Sequence, residues 1–380
     1  MKILFFSDHG PYNSTFIRQD VEKISKHHNA LYICTISDKT YSNKTINTKL
    51  IKYPSKSLKS KIRWRLEKTN YFFNWRSKKF AKEIGKQIAL FDPDIIHCQF
   101  AYEAVKLLQN FETEKPIIIN FRGYGASSKL KNKIYVKWLK EILRKKNIYP
   151  IYVSNSLKKN LEKKGIKTAN DGIILYTGID INKFKRKNYN NRGIINFIQV
   201  GNFNEKKGQY YTIKAFKKLC QNNPDLNLKL TFVGEGKNFI VCKRLTKSLD
   251  LDKKIFFLGN QNHNVIINLL DDSHIFVHHS ITPPNGCQEG IPNSILEAMS
   301  MEMPILSSYH SGIPEAVAHN VNGMLSKEKD LNTFSLQMKQ ILNWGYKIDN
   351  REKVIEKFQL SKHLEKLNNF YLNIIKKSSN

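Results

Sequence analysis

The feature that most constrains this sequence is an alternation carried through its whole length. Short runs of Ile, Val, Leu and Phe recur, separated by segments with helical length and spacing. In the first half the runs fall at residues 2–6, 31–36, 94–97, 116–120 and 149–153. In the second they fall at 195–200, 228–233, 254–258, 275–278, 304–307 and 323–325. Short continuous apolar runs suit strands covered on both faces, and strands separated by helices pair in parallel, which gives an α/β fold. A chain of 380 residues is long for one core, so the two series predict two doubly wound domains. The polar stretch 182–193, N-K-F-K-R-K-N-Y-N-N-R-G, has linker composition and places the division between a domain at 1–188 and another at 189–355. The tail is helical in pattern, with Leu364, Leu367, Phe370, Tyr371 and Ile374 on or near one face. Residues 356–380 are expected to pack back toward the first domain.

Several classes are excluded early. With 41% hydrophobic residues the chain can bury two cores, so wholesale disorder is out. The apolar start, Ile3 to Phe6, is too short for a secretory signal and reads as a first strand. No apolar run is long enough to span a bilayer. Cys34, Cys98, Cys220, Cys242 and Cys287 show neither paired nor metal-ligand spacing, which implies reduced thiols and a cytoplasmic setting.

The charge of +31 is uneven. Residues 1–200 carry 40 Lys and Arg against 15 Asp and Glu, whereas residues 201–380 carry 23 against 17. A compositional bias toward Lys, Asn and Ile would act on both halves. The asymmetry therefore points to an anionic partner for the first: acidic lipid, a phosphorylated carrier, a polyanionic glycan or nucleic acid.

The densest chemistry lies in E-G-I-P-N-S-I-L-E, Glu289 to Glu297. Two carboxylates bracket Gly290, Ile291, Pro292 and Asn293, and the apolar run Ile295, Leu296, Ala298, Met299 follows with helical spacing. Pro292 suits a first helical turn, and the glycine admits a ligand close to the backbone. Unpaired N–H groups and the dipole at a helix start favour phosphate. One carboxylate would precede the helix and the other lie one turn inside it, a grip suited to a phosphorylated, hydroxyl-rich ligand. Spacing alone also fits a solvated loop Glu followed by a helix-surface Glu.

Taken with its neighbours, this region resembles the family 4 retaining glycosyltransferases of GT-B architecture, two Rossmann-like domains facing across a cleft. The resemblance rests on an ordered set: V-G-N-F-N-E-K-K-G (200–208), F-V-G-E-G (232–236), F-F-L-G (256–259), the run from Ile275 to Met299, S-G-I-P-E-A-V (311–317) and N-G-M-L (322–325). Weaker matches in the first half are N-S-T-F-I (13–17), D-P-D-I-I-H (92–97), F-R-G-Y-G-A-S (121–127) and Y-T-G-I-D-I-N-K-F (176–184). The N-G-C-Q-E-G-I-P-N subset is most similar to enzymes that build bacterial surface polysaccharides such as exopolysaccharide, capsule and lipopolysaccharide.

The resemblance implies a retaining, metal-independent hexosyltransferase with a nucleotide-diphosphate sugar as co-substrate and no cofactor. Lys207 would contact the donor diphosphate as a point charge. Glu297 would hydrogen-bond the ribose hydroxyls, which a carboxylate accepts well. Glu289 would lie beside the transferred sugar, and the amides from Gly290 to Asn293 would hold phosphate or sugar oxygens, with Asn202, Gly234 and Glu235 also on the donor side. The acceptor would be a glycan, lipid-linked or polyanionic, bound by the first domain at the inner face of the cell membrane. Two departures stand out. Many members carry Arg at the position of Asn202 and His at that of Arg122, so Arg122 is expected to supply charge that Asn202 cannot, or else to pair structurally with an acid.

Other residues leave choices open. His9, Gly10, Ser14 and Thr15 follow the first strand, where doubly wound folds bind ligands, and are candidates near the acceptor together with His97. His278 and His279 are adjacent on a strand, point to opposite faces and cannot share a metal. Asp92-Pro93-Asp94 has the letters of a metal motif but reads as strand punctuation. Residues 52–86 interleave Arg and Lys with Trp, Tyr and Phe, a pattern that fits an interfacial helix on anionic lipid, an ordinary core helix or a stacking surface for single strands. Other readings are transfer to teichoic acid or nucleic acid, nucleic acid being the weaker, and an inactive glycosyltransferase-like binding module.

Overall fold

The computed structural model describes residues 1–11, 14–36, 46–51, 74–187, 193–344 and 349–379. The chain forms two compact units, one of residues 1–175 with 363–380 and one of residues 176–362. Each is built on a sheet in which every pairing is parallel.

In the first unit the strands are β1 (Lys2–His9), β2 (Asn29–Ile36), β3 (Thr48–Leu50), β4 (Ile95–Cys98), β5 (Ile117–Phe121), β6 (Ile148–Tyr152) and β7 (Ile173–Ile174). They lie in the order β3-β2-β1-β4-β5-β6-β7. Alternate residues of β1 feed the two faces: Leu4 and Phe6 join one apolar core, Ile3 and Phe5 the other. The helix Leu360–Ser379 covers the second face, burying Leu367, Tyr371 and Ile374 against Ile3, Phe5 and Tyr32. The apolar stripe of the tail thus belongs to the first unit. The tail is not one helix, because Asn350–Lys357 forms a separate helix in the second unit.

In the second unit the strands are β8 (Ile195–Val200), β9 (Leu228–Val233), β10 (Ile255–Phe257), β11 (Ile275–His278), β12 (Ile305–Ser308) and β13 (Met324–Ser326). Their order, β10-β9-β8-β11-β12-β13, repeats that of the first unit. The eleven expected strands are all present. The short, largely polar β3 and the two-residue β7 were not legible as strands.

The units divide at Leu175/Tyr176, ahead of the polar stretch that suggested 188/189. The cause is packing: Ile179 and Phe184 are buried in the core of the second unit with Ile198, Phe276 and Leu296, so the chain has joined that unit before it turns polar. Residues 188–192 of that stretch, and residues 52–73 of the basic aromatic segment, lie outside the described residues. Residues 74–91 form a helix. No helix among the described residues is long and apolar enough to cross a membrane.

Candidate active site

In doubly wound sheets ligands bind beyond the carboxyl ends of the strands, where neighbouring strands lead their connections to opposite sides. In the second unit that point lies between β8, which leads to β9, and β11, which lies on its other side. Both loops leaving it carry charge.

After β8 the chain makes a tight 3-10 turn at Glu205–Lys207, closed by Gly208 in the left-handed region (φ +64°). A Cβ at Gly208 would lie 1.7 Å from the His279 carbonyl oxygen, so this close approach requires glycine. The turn is pinned from beneath: Gln199 Nε2 donates to the Lys207 carbonyl at 2.7 Å, and the Ile281 N–H donates to the Lys206 carbonyl at 3.0 Å. Gly234, after β9, has φ +128°, and a Cβ there would meet the Gly201 carbonyl oxygen at 2.4 Å. The two glycine loops therefore touch backbone to backbone. Asn202 and Glu235 stand exposed at this rim, where Glu235 accepts from Asn260 Nδ2 at 3.2 Å.

After β11 the loop runs to Glu289, whose carboxylate is clasped at both oxygens. Lys207 Nζ lies 2.6 Å from Oε2 and Lys206 Nζ lies 2.7 Å from Oε1. The Glu289 side chain is 15% exposed, so the charge is largely withdrawn from water and depends on this pairing. Burial pushes the Glu289 carboxyl up, yet Lys207 and Lys206 outweigh it and hold it well below the usual carboxylate range. The converse holds for Lys206: burial disfavours its ammonium, but Glu289 raises its pKa. The centre is an ionised triad with one net positive charge.

Gly290, Ile291 and Pro292 are buried and lead into the helix Asn293–Ser300. Pro292 sits at the cap position with extended ψ (125°) rather than inside the first turn, so Asn293 is the first helical residue. Glu297 lies just over one turn in, and its carboxyl is pushed up to about 7 by burial, against the pull of Lys183 and Lys207. The two bracketing carboxylates are thus of opposite character. Glu289 is firmly ionised, while the carboxyl of Glu297 is raised to about 7.

The two strand histidines diverge as expected from their positions. His278 is fully buried beside this centre, with its ring parallel to Phe276 at 6.1 Å, and burial and Lys207 keep it neutral. On the other face His279 Nε2 accepts from the Lys329 N–H at 2.9 Å and its ring packs edge-on against Phe334 at 4.3 Å.

In the first unit Arg122 is drawn into a buried network. Its guanidinium lies 3.6 Å from Asp20 Oδ2 and 4.7 Å from the centre of the Phe16 ring, and donates to Gln99 Oε1 at 3.5 Å. Asp20 also meets His363 at 3.1 Å. His97, 2% exposed, pairs through Nδ1 with the Tyr371 hydroxyl at 2.7 Å, and burial lowers its pKa to about 4. Arg122 has therefore found an acid partner, and His97 is a neutral packing residue. His9 is exposed at the end of β1, Gly10 is buried next to it, and Ser14 and Thr15 open the helix Thr15–Ile24 without a Ser14 side-chain cap.

Asp92 pairs with Lys115 at 2.7 Å and Asp94 accepts from the Lys2 backbone N–H at 2.7 Å, so this dipeptide pair ties strand starts together. Among the described residues no group of three His, Cys, Asp or Glu is placed to hold a metal ion. Sequence reasoning missed Lys206 and Ser311. The Lys-Lys doublet before Gly208 was the available signal for the first. Ser311 carried no chemical signal beyond its place in S-G-I-P-E, yet its hydroxyl donates to the Glu289 carbonyl.

The two parallel-sheet α/β units, of seven and six strands, match glycosyltransferase structures of the GT-B fold. Over its length the chain is similar to the crystal structure of Anabaena HepE in complex with UDP and glucose, with a TM-score of 0.75 at 15% identity, covering 98% of this chain and 100% of that one. That likeness is one of fold. Residues 180–359, almost all of the second unit, match the model of the glycosyl transferases, group 1. Similar curated proteins include the amylovoran biosynthesis glycosyltransferase AmsK of Erwinia amylovora, 35% identical over 136 residues that cover 36% of this chain and 33% of AmsK. Another is the putative colanic acid biosynthesis glycosyltransferase WcaL of Salmonella typhimurium, 28% identical over 162 residues, 42% of this chain and 39% of WcaL. The matched stretches thus span well under half of either relative.

Proposed function

We propose that the chain is a retaining, family 4 glycosyltransferase that moves a sugar from a nucleoside-diphosphate sugar to a glycan acceptor during surface-polysaccharide assembly. The observation that carries this reading is the lysine-clasped Glu289 at the switch point of the second unit, with Glu297 just over a turn into the next helix. UDP is the first donor base to test, because HepE is similar in fold and was crystallised with it. AmsK and WcaL are named for exopolysaccharide and colanic acid biosynthesis, which directs the acceptor reading toward such glycans.

In the reaction the bond between the anomeric carbon and the diphosphate oxygen breaks, and a bond from an acceptor hydroxyl oxygen to that carbon forms. Negative charge grows on the departing diphosphate, and Lys207 is placed to meet it. The Gly290–Asn293 amides approach phosphate or sugar oxygens at the helix start. Glu297, once ionised, accepts from the ribose hydroxyls, and Glu289 faces the sugar, where its charge favours the positive character developing at the anomeric carbon. With retention and no covalent intermediate, the acceptor proton passes to the leaving diphosphate, which departs as the nucleoside diphosphate. The lysines supply the cationic role, so the reading needs no metal ion.

The excess of basic residues in the first half supports a polyanionic or lipid-linked acceptor, and with it docking on an anionic membrane surface. The decisive experiment measures hydrolysis of UDP-, GDP- and other nucleotide sugars. Turnover in the native protein and its loss in Glu289→Ala supports the enzyme reading; binding without any turnover, whatever the donor, would leave a binding module. Flotation with anionic vesicles at low salt tests the membrane part, and failure to float removes it.

A further inference from the structure

We infer that Lys206 is a second diphosphate-binding cation, and that Glu289 occupies both lysines as a built-in stand-in anion until the donor arrives. This deepens the proposed function and rests on its reading of the site as a donor pocket.

The argument is one of charge and geometry. The first glycine loop brings no charge of its own, since Gly201 and Asn202 are both neutral. The cations come instead from the turn that follows, and it presents two of them to one point. Lys206 and Lys207 each contact a different oxygen of the same carboxylate, at 2.7 and 2.6 Å. The spread of two oxygens on one acid, each met by its own ammonium, reproduces the way two oxygens of a diphosphate would be met. The turn's backbone is fixed at both lysine carbonyls, by Gln199 on one and by the Ile281 N–H on the other, so both side chains leave from defined points. Two ammoniums converging in a largely buried place would repel each other strongly if nothing stood between them. Glu289, set between them, removes that repulsion. A diphosphate carries more charge than a carboxylate, so it takes both lysines and releases Glu289 toward the sugar. The carboxylate is then freed for its sugar contact only when a donor is present.

Titration calorimetry on the full-length chain with inorganic pyrophosphate, UDP and uridine tests this. Lys206→Met should weaken pyrophosphate and UDP by ~10-fold or more, the loss expected for one charge-assisted contact, and leave uridine unchanged. Lys206→Arg, which keeps the charge, should restore most of the affinity and guards against a folding defect. Glu289→Gln should bind pyrophosphate more tightly than the native protein, because the competing anion is gone. Unaltered pyrophosphate binding by Lys206→Met, or weakened binding by Glu289→Gln, overturns the inference. If the native protein binds pyrophosphate but no nucleoside diphosphate, the two-lysine anion site stands while the donor reading, and with it the proposed function, falls. If it binds neither, both fall.

Discussion

The Ser311 hydroxyl donates a hydrogen bond to the backbone carbonyl of Glu289, and one residue further on the Gly312 N–H donates to the Gly290 carbonyl at 3.1 Å. The loop after β12 therefore holds the backbone of the loop after β11, and with it the carboxylate that the two lysines clasp. Ser311 adopts a left-handed backbone (φ +47°), an uncommon conformation for a residue with a side chain.

Replacing Ser311 by Ala keeps the strained backbone and removes the bond that justifies it. The cost to stability is expected at about 1 kcal/mol, the net worth of one hydrogen bond. The larger effect should be on donor saturation, because Glu289 loses its tether: KM for the donor rises while the melting temperature moves only a few degrees. Equal donor KM in Ser311→Ala and native protein would separate the tether from function.

Glu297 gives a pH dependence with a defined sign. Its carboxyl ordinarily titrates near 4.5 and is raised to about 7 by burial in the folded chain. Between those values the folded state binds the proton and the unfolded state does not, so the stabilising contribution is full below about 4.5 and is lost as pH rises through 7. Above pH 7 a buried carboxylate remains, at a cost of about 2 kcal/mol after allowing for its partial exposure. Glu297→Gln should therefore melt like the native protein at pH 5 and higher than it at pH 8. Nucleotide affinity should run the other way in the native protein, falling about tenfold between pH 8 and 6 as the ribose acceptor protonates, and staying flat in the Gln variant.

Gly208 offers a steric test. Any side chain must enter the left-handed region and place its Cβ within 1.7 Å of the His279 carbonyl oxygen. Gly208→Ala is expected to cost more than about 2 kcal/mol and to displace the turn that carries Lys206 and Lys207. Soluble protein that melts normally and binds nucleotide unchanged would show that the turn can be rebuilt elsewhere.

The sheets were readable because buried parallel strands tend to be continuously apolar, and Ile3–Phe6, Ile117–Ile119 and Ile275–Val277 are so. β3 and β7 were not, because Thr48–Leu50 and Ile173–Ile174 are too short to leave a pattern. Lys207 and Glu289 meet at 2.6 Å and Glu297 lies in the helix that follows, and these three were singled out in the sequence because all lie within one unit. What sequence could not show is distance closed by folding. Asp20 meets His363, and His97 meets Tyr371, across most of the chain's length, and nothing in either segment marks the other. The same blindness left Arg122 with two readings. Its acid partner sits on a helix about a hundred residues upstream, and only the fold brings them together.

That pair supplies the last prediction. Burial pushes the Asp20 carboxyl up, but His363 and Arg122 outweigh it and hold it below its ordinary value. A depressed carboxyl stabilises the folded state above its unfolded value of 3.8, and that contribution is lost as pH falls through the folded one. Asp20→Asn strands the Arg122 charge in the interior and should cost about 3–5 kcal/mol, whereas Arg122→Met leaves Asp20 with His363 at 3.1 Å and should cost less. The double variant removes the guanidinium together with its acid and should recover part of the Asp20→Asn loss, a non-additivity that denaturant titration of the four proteins will read directly. The charge of Arg122 is already matched by Asp20, so pyrophosphate affinity should be the same in Arg122→Met as in native protein wherever both are folded. A clear drop in that affinity at unchanged stability would instead make Arg122 a donor-side cation and break its assignment to the structural pair.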